Sequence, residues 1–163
     1  MCQNEFANGV RIGVTRLKLA AADAEDLEIL SARLQDAAGK LKNFVWLPKK
    51  RRFAAVLNRL QWEDGGKTRV RAGLHFNGVL TVQSHKVKLG AGEAVVSLLA
   101  VTFKPNESPN ESEGSEDPGG VIEIVLAGGG MIRLVVECID AELVDMTGPW
   151  VARGTPDHDA EPA

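Results

Sequence analysis

Ten cations lie between residues 40 and 71: Lys40, Lys42, Lys49, Lys50, Arg51, Arg52, Arg59, Lys67, Arg69 and Arg71. Only Glu63 and Asp64 oppose them, an excess of eight positive charges in a chain of net charge −3. The remainder of the chain therefore carries −11. Lys49 to Arg52 form one uninterrupted basic row after Pro48, in "WLPKKRRFAAVLN". Such a run can hold phosphates or an acidic protein surface, and it can equally be a solvated turn. Phe44, Trp46, Phe53, Trp62 and Phe76 lie in the same neighbourhood. Lys and Arg on phosphates with exposed rings on bases is how nucleic-acid-binding sheets work. Arg69, Arg71 and His75 share one strand parity and extend the candidate patch. The expected anion-binding set is Lys49, Lys50, Arg51, Arg52, Arg59, Arg69 and Arg71.

Other chemistry is weakly encoded. His75, His85, His158, Cys2 and Cys138 show no C-x-x-C, H-E-x-x-H or H-x-H spacing, so no metal is expected. No G-x-S-x-G elbow and no phosphate loop occur, and no cofactor is expected. "AGGGM" and "GAGEA" read as turns. Cys138, continuing the parity of Ile132, Leu134 and Val136, reads as an inert core thiol. Glu137, Asp140, Glu142 and Asp145 form an acidic cluster that can serve acid/base chemistry or a divalent cation. A solvated acidic edge is the commoner outcome.

These residues need a scaffold. A chain of 163 residues with 44% hydrophobic and 25% charged residues suits one globular domain. Two cysteines make no disulfide framework, which points to a reducing, cytoplasmic location. No apolar run approaches the roughly 20 residues of a membrane span. "DAEDLEILSARLQDAAGK" predicts a helix with Asp23 as N-cap, a Leu27/Leu30/Leu34 stripe continuing to Ala37 or Ala38, and Gly39 as its stop. Before it, "VTRLKLAAA" reads as a strand, and after it strands dominate. A hairpin is expected around Pro48. "TRVRAGLHF" alternates, with Val70, Ala72, Leu74 and Phe76 on one face. Asn77-Gly78 predicts a tight hairpin to "VLTVQSHKV". "EAVVSLLAVTF" reads as a central strand covered on both sides. "VIEIVLA" and "MIRLVVECI" form a hairpin across a three-residue GGG loop. That loop sets Leu126 against Ile132, Ile124 against Leu134 and Ile122 against Val136, all six on one buried face. Glu123 and Arg133 then lie diagonally on the outer face.

The expected fold is α+β: one helix in the N-terminal half packed on a curved antiparallel meander of about seven strands. A pleckstrin-homology-like barrel is the alternative. Residues 1–13 read as a loose N-terminus and 14–147 as the domain. Residues 105–119 read as a disordered acidic loop and 148–163 as a flexible tail.

The stretches "LKLAAADAEDLEILSARLQDA", "LPKKRRFAAVLNRLQWE", "RAGLHFNGVLTVQS", "VVSLLAVTF" and "AGGGMIRLVVECIDAELVDM" together resemble a bacterial family, domain-of-unknown-function family 2948. The resemblance spans roughly residues 14 to 150, and the acidic 105–119 segment looks longer than that family needs. It implies a bacterial cytoplasmic protein and brings no activity and no site residues. The functional expectation is a small non-catalytic binding or adaptor domain contacting RNA, DNA or an acidic protein through the basic turn. Two other readings stand beside it: an enzyme whose site is assembled across strands near 137–145, and a homo-oligomer that buries an edge strand.

Overall fold

The computed structural model describes residues 16–62, 65–66, 68–88, 92–107, 117–147 and 150–151. Within these, eleven strands and one α-helix follow the chain. They are β1 (Lys18–Ala21), α1 (Ala24–Leu34), β2 (Ala38–Lys40), β3 (Phe44–Leu47), β4 (Arg52–Leu60), β5 (Thr68–Asn77), β6 (Val79–His85), β7 (Val95–Pro105), β8 (Gly120–Leu126), β9 (Met131–Val136), β10 (Ala141–Asp145) and β11 (Trp150–Val151). Every strand pairing is antiparallel. The order β1-β10-β5-β4-β2-β7-β8-β9-β6 is open, with β1 and β6 at its ends; β11 adds to β5 and β3 to β4. The fold is α+β as expected. The strands number more than seven because short pieces such as β2 and β11 carry no alternation long enough to read. The path does not close into a barrel.

Asp23 caps α1, its Oδ1 accepting from the Asp26 amide at 2.8 Å, which satisfies one orphan donor of the first turn. Leu27, Leu30 and Leu34 are buried against the sheet, and the helix packs on β7, β1 and β4. It ends at Leu34, five residues before Gly39. Asp36 takes the left-handed turn at φ 66°, and the chain goes straight into β2. Gly39 has a different task from a helix stop. A Cβ there would stand 2.9 Å from Leu57 Cδ2 and 3.0 Å from the Val56 carbonyl oxygen. β2 is thus pressed close onto β4, and a side chain there has to push Leu57 and the Val56 carbonyl aside. Gly39→Ala is expected to lower stability by about 1–3 kcal/mol, read as a fall in urea midpoint; an unchanged midpoint would refute the close contact.

The Asn77-Gly78 hairpin does not form. β5 already has β4 on one edge and β10 on the other, so no edge is left for the next strand. Gly78, at φ 71°, turns the chain out of that half of the sheet. The Asn77 amide donates to the Asp140 carbonyl, and the Val79 amide to the Arg51 carbonyl. β6 then pairs with β9. The turn chemistry was legible, but the partner was decided elsewhere.

The 122–136 hairpin keeps its predicted face but slips by two residues. Ile124 opposes Ile132, Ile122 opposes Leu134, and Glu123 directly opposes Arg133. The Leu126 amide donates to the Gly130 carbonyl, which lengthens the connection. A two-residue slip preserves parity, so Leu126, Ile132, Ile124, Leu134, Ile122 and Val136 are all buried.

β7 is central, between β2 and β8. Its register shifts between Leu98 and Ala100, and both Leu98 and Val101 face inward. A bulge moves the inward parity from even to odd positions. Beyond the end of β2, the Val101 amide donates to Ser31 Oγ of α1 at 2.8 Å. The helix thereby satisfies a strand edge that lacks a neighbour. One core joins Phe53, Leu57, Leu74 and Phe76 of one half to Leu98, Ile122, Ile124 and Leu134 of the other, with the α1 leucines between.

Residues 1–13 and most of 105–119 and 148–163 lie outside the described residues. Among the described ones, no helix is long and apolar enough to cross a membrane.

Candidate functional site

The basic row is a turn. Pro48–Lys50 form one turn of 3-10 helix between β3 and β4, and Arg51 adopts φ 51°. The register runs Leu47 with Arg52 and Trp46 with Phe53. Lys49 and Lys50 are exposed. Arg51 Nη1 meets Glu137 Oε2 at 3.0 Å, and Arg52 Nε donates to Asn77 Oδ1 at 2.8 Å. Half the row is therefore tied to its own protein.

Arg59 leaves the candidate set. It is fully buried, because it continues the inward parity of Phe53, Ala55 and Leu57. Asp145 does the same on β10 after Ala141 and Leu143. Arg59 reaches across β5, past Val70 and Ala72, to a bidentate pair. Nε sits 2.8 Å from Asp145 Oδ1 and Nη2 2.9 Å from Oδ2, and Nη1 donates to the Leu60 carbonyl. Asp145 Oδ2 also accepts the Leu17 amide. This clasp joins β4, β10 and the start of β1.

Arg69 and Arg71 stand at the other end of the β4–β5 ladder from the turn. Arg52 opposes Asn77, Asn58 opposes Arg71 and Leu60 opposes Arg69. Six residues of β4 separate Arg52 from Asn58, roughly 20 Å at about 3.3 Å per residue. Arg69 is half-buried, with Nη1 on the Asn58 carbonyl. Arg71 is exposed and lines an open cleft of about 460 Å³ with Lys40, Lys42, Asn43 and Asn58. Lys40 and Lys42 hold Glu93 at 2.9 and 3.2 Å. Hydrogen bonds from these two ammonium groups hold the Glu93 carboxyl below the ordinary glutamate range.

The seven expected residues thus separate into a tip (Lys49, Lys50, Arg51, Arg52), a distal pair (Arg69, Arg71) and a buried residue (Arg59). Lys40 and Lys42 join the distal group, although sequence reasoning had counted them only as charge. The signal was obscured because β2 is three residues long. Arg52, Ala54, Val56 and Asn58 alternate outward on β4, so Arg52 and the cleft share the outer face of the ladder. Ala54 and Val56 lie along the interval, with His75 opposite Ala54 and Met146 packed over Gly73.

The rings do not accompany the charges. Phe53 and Phe76 are buried, and Phe44 and Trp46 pack against the core. Trp62 donates from Nε1 to the Gln35 carbonyl and lies against Gly66. Strands take aromatics into a core before they offer them to a ligand.

The acidic cluster disperses in the same way. Glu137 is on Arg51, Asp145 is on Arg59, and Glu142 lies 3.5 Å from His75 Nε2 and 3.8 Å from Lys18 Nζ. Cys138 is a free, half-buried thiol just past β9, not a core residue. Among the described residues, no group of three His, Cys, Asp or Glu side chains is placed to hold a metal ion. On the outer face of β7–β9, Glu123 is nearly buried between Lys104 Nζ at 3.4 Å and Arg133 Nε at 3.3 Å. The sequence reading had this as an exposed diagonal pair. Direct opposition in the shifted register and the neighbouring β7 cover it.

No curated protein and no solved structure matches the chain. A family model described as "Protein of unknown function (DUF2948)" matches residues 17–158. That span takes in every strand and the helix described above, so the chain belongs to domain-of-unknown-function family 2948.

Proposed function

We propose that the protein is a non-catalytic binding domain that takes an anionic macromolecule, RNA, DNA or an acidic protein, along the outer face of the β4–β5 ladder. The observation that carries this reading is the placement of cations at both ends of one strand pair. Lys49 and Lys50 stand at one end and Arg71, Lys40 and Lys42 at the other, roughly 20 Å apart. An extended polyanion spans that distance, whereas one small ligand does not. Because Phe53 and Phe76 are buried and Trp62 is engaged, contact falls on charged backbone groups rather than on stacked bases. A cytoplasmic setting agrees with the free thiol of Cys138.

Fluorescence anisotropy of a short labelled DNA duplex, with labelled polyglutamate in parallel, tests the reading across a salt series. Duplex affinity is expected to fall with salt by about 0.9 log unit per log unit of salt for each phosphate contact. Replacing Lys49 and Lys50, or Lys40 and Arg71, with serine is expected to flatten that slope in either case. Preference for polyglutamate assigns the partner as an acidic protein. Binding of neither probe, or a slope indifferent to both pairs, removes the proposal.

A further inference from the structure

Lys40 ends β2, Lys42 lies in the 3-10 turn Leu41–Asn43 after it, and Arg71 is on β5, far away in sequence, yet the three meet at one cleft. Asn43 and Asn58 add amide groups to its wall. The carboxylate that Lys40 and Lys42 hold is not part of the cleft wall. It is delivered by a strap: the Leu41 amide donates to the Ala94 carbonyl and the Lys42 amide to the Gly92 carbonyl, on either side of Glu93. Both Lys40 and Lys42 side chains remain about half exposed, and Glu93 more so, at 73%. Three cations therefore face one carboxylate. Among the described residues, no second carboxylate lies within ion-pair distance of this group. Glu93 itself shows which chemistry the lysine pair accepts: an anionic oxygen at 2.9 to 3.2 Å. A monoanion leaves two positive charges unmatched, whereas a phosphoryl dianion can match them and accept from Arg, Lys and amide donors together.

We infer that the Lys40/Lys42/Arg71 cleft is a phosphoryl-group site, and that Glu93 is a built-in competitor occupying its lysine pair until a phosphate displaces it. The inference rests on the anion-binding reading above and deepens it, since it names the group bound and the residue that opposes binding. Displacement is accessible because Glu93 is exposed, so its carboxylate is released into water rather than into a buried site.

Calorimetric titration of the full chain with inorganic pyrophosphate at low ionic strength tests it. Arg71→Gln is expected to weaken binding by about threefold or more, and Lys42→Gln by a similar factor. Glu93→Gln is expected to tighten it by about the same factor, because removing a competitor has the opposite sign to removing a ligand. Lys104→Ser deletes an exposed cation nine residues along β7 from Val95, the partner of Lys40, roughly 30 Å away; it controls for net charge and is expected to leave the affinity unchanged. Equal weakening by Lys104→Ser, or no tightening by Glu93→Gln, overturns the inference. Pyrophosphate binding that follows the cleft variants, without salt-dependent duplex binding, supports a free-phosphate ligand and removes only the macromolecular reading. Duplex binding without any pyrophosphate binding removes the cleft site and leaves that reading standing.

Discussion

Asp145→Ala is expected to destabilise the protein by about 3–5 kcal/mol. The substitution takes both carboxylate hydrogen bonds, at 2.8 and 2.9 Å, from a guanidinium that is fully buried. It also removes the acceptor of the Leu17 amide at the entry to β1. Taking the bidentate acceptor from a buried charge accounts for most of the cost, because the pair itself gains little over its own desolvation. Replacing both partners, Arg59→Leu with Asp145→Leu, is therefore expected to be milder than either single change. Urea unfolding of the wild type, the two single variants and the double variant gives the coupling directly. A loss below about 1 kcal/mol for Asp145→Ala would sink the clasp as a structural element.

Phe76→Ala is expected to cost about 3–5 kcal/mol, with Phe76→Leu under about 1.5 kcal/mol. Phe76 is fully buried and lies opposite Phe53 on β4 and Ala141 on β10. The next two residues carry the chain to the other half of the sheet, so its ring sits where the two halves share one core. β4, β5 and β10 hold the surrounding backbone in a hydrogen-bonded ladder, so the cavity left by alanine cannot collapse easily. Thermal and urea unfolding that agree on a loss of that size check it. A cost near that of an exposed substitution would mean the two halves do not share a core.

The two sites share a lesson about strand parity. The alternation of Phe53, Ala55 and Leu57 already assigned the next position, Arg59, to the inside, and Ala141 and Leu143 did the same for Asp145. Two opposite charges at inward positions have to find each other or leave the core. The pairing was therefore legible in principle, although Arg59 read as surface charge when it was counted by composition alone. Arg69 and Arg71 were placed on the outer face correctly by the same alternation. Their distance from Lys49 to Arg52 could not be read. It follows from the antiparallel register of β4 with β5, which sends residues near in sequence to opposite ends of a ladder.

The sequence by itself determined the local and periodic features of this protein. The Asp23 cap and leucine stripe made α1, the basic turn made the β3–β4 hairpin, and alternation chose the buried face of β5, β8 and β9. Family membership was also legible in it. These follow from interactions within a few residues, which the chain carries wherever it goes. Only the tertiary structure decided which edges pair, and hence that Asn77-Gly78 is a crossing rather than a hairpin. It also decided that β2 and the turn after it bring Lys40 and Lys42 to Arg71, and that Phe53 and Phe76 go inward. Those outcomes depend on which strand edge is still free and which surface is already covered, and both are properties of the assembled sheet rather than of any segment in it.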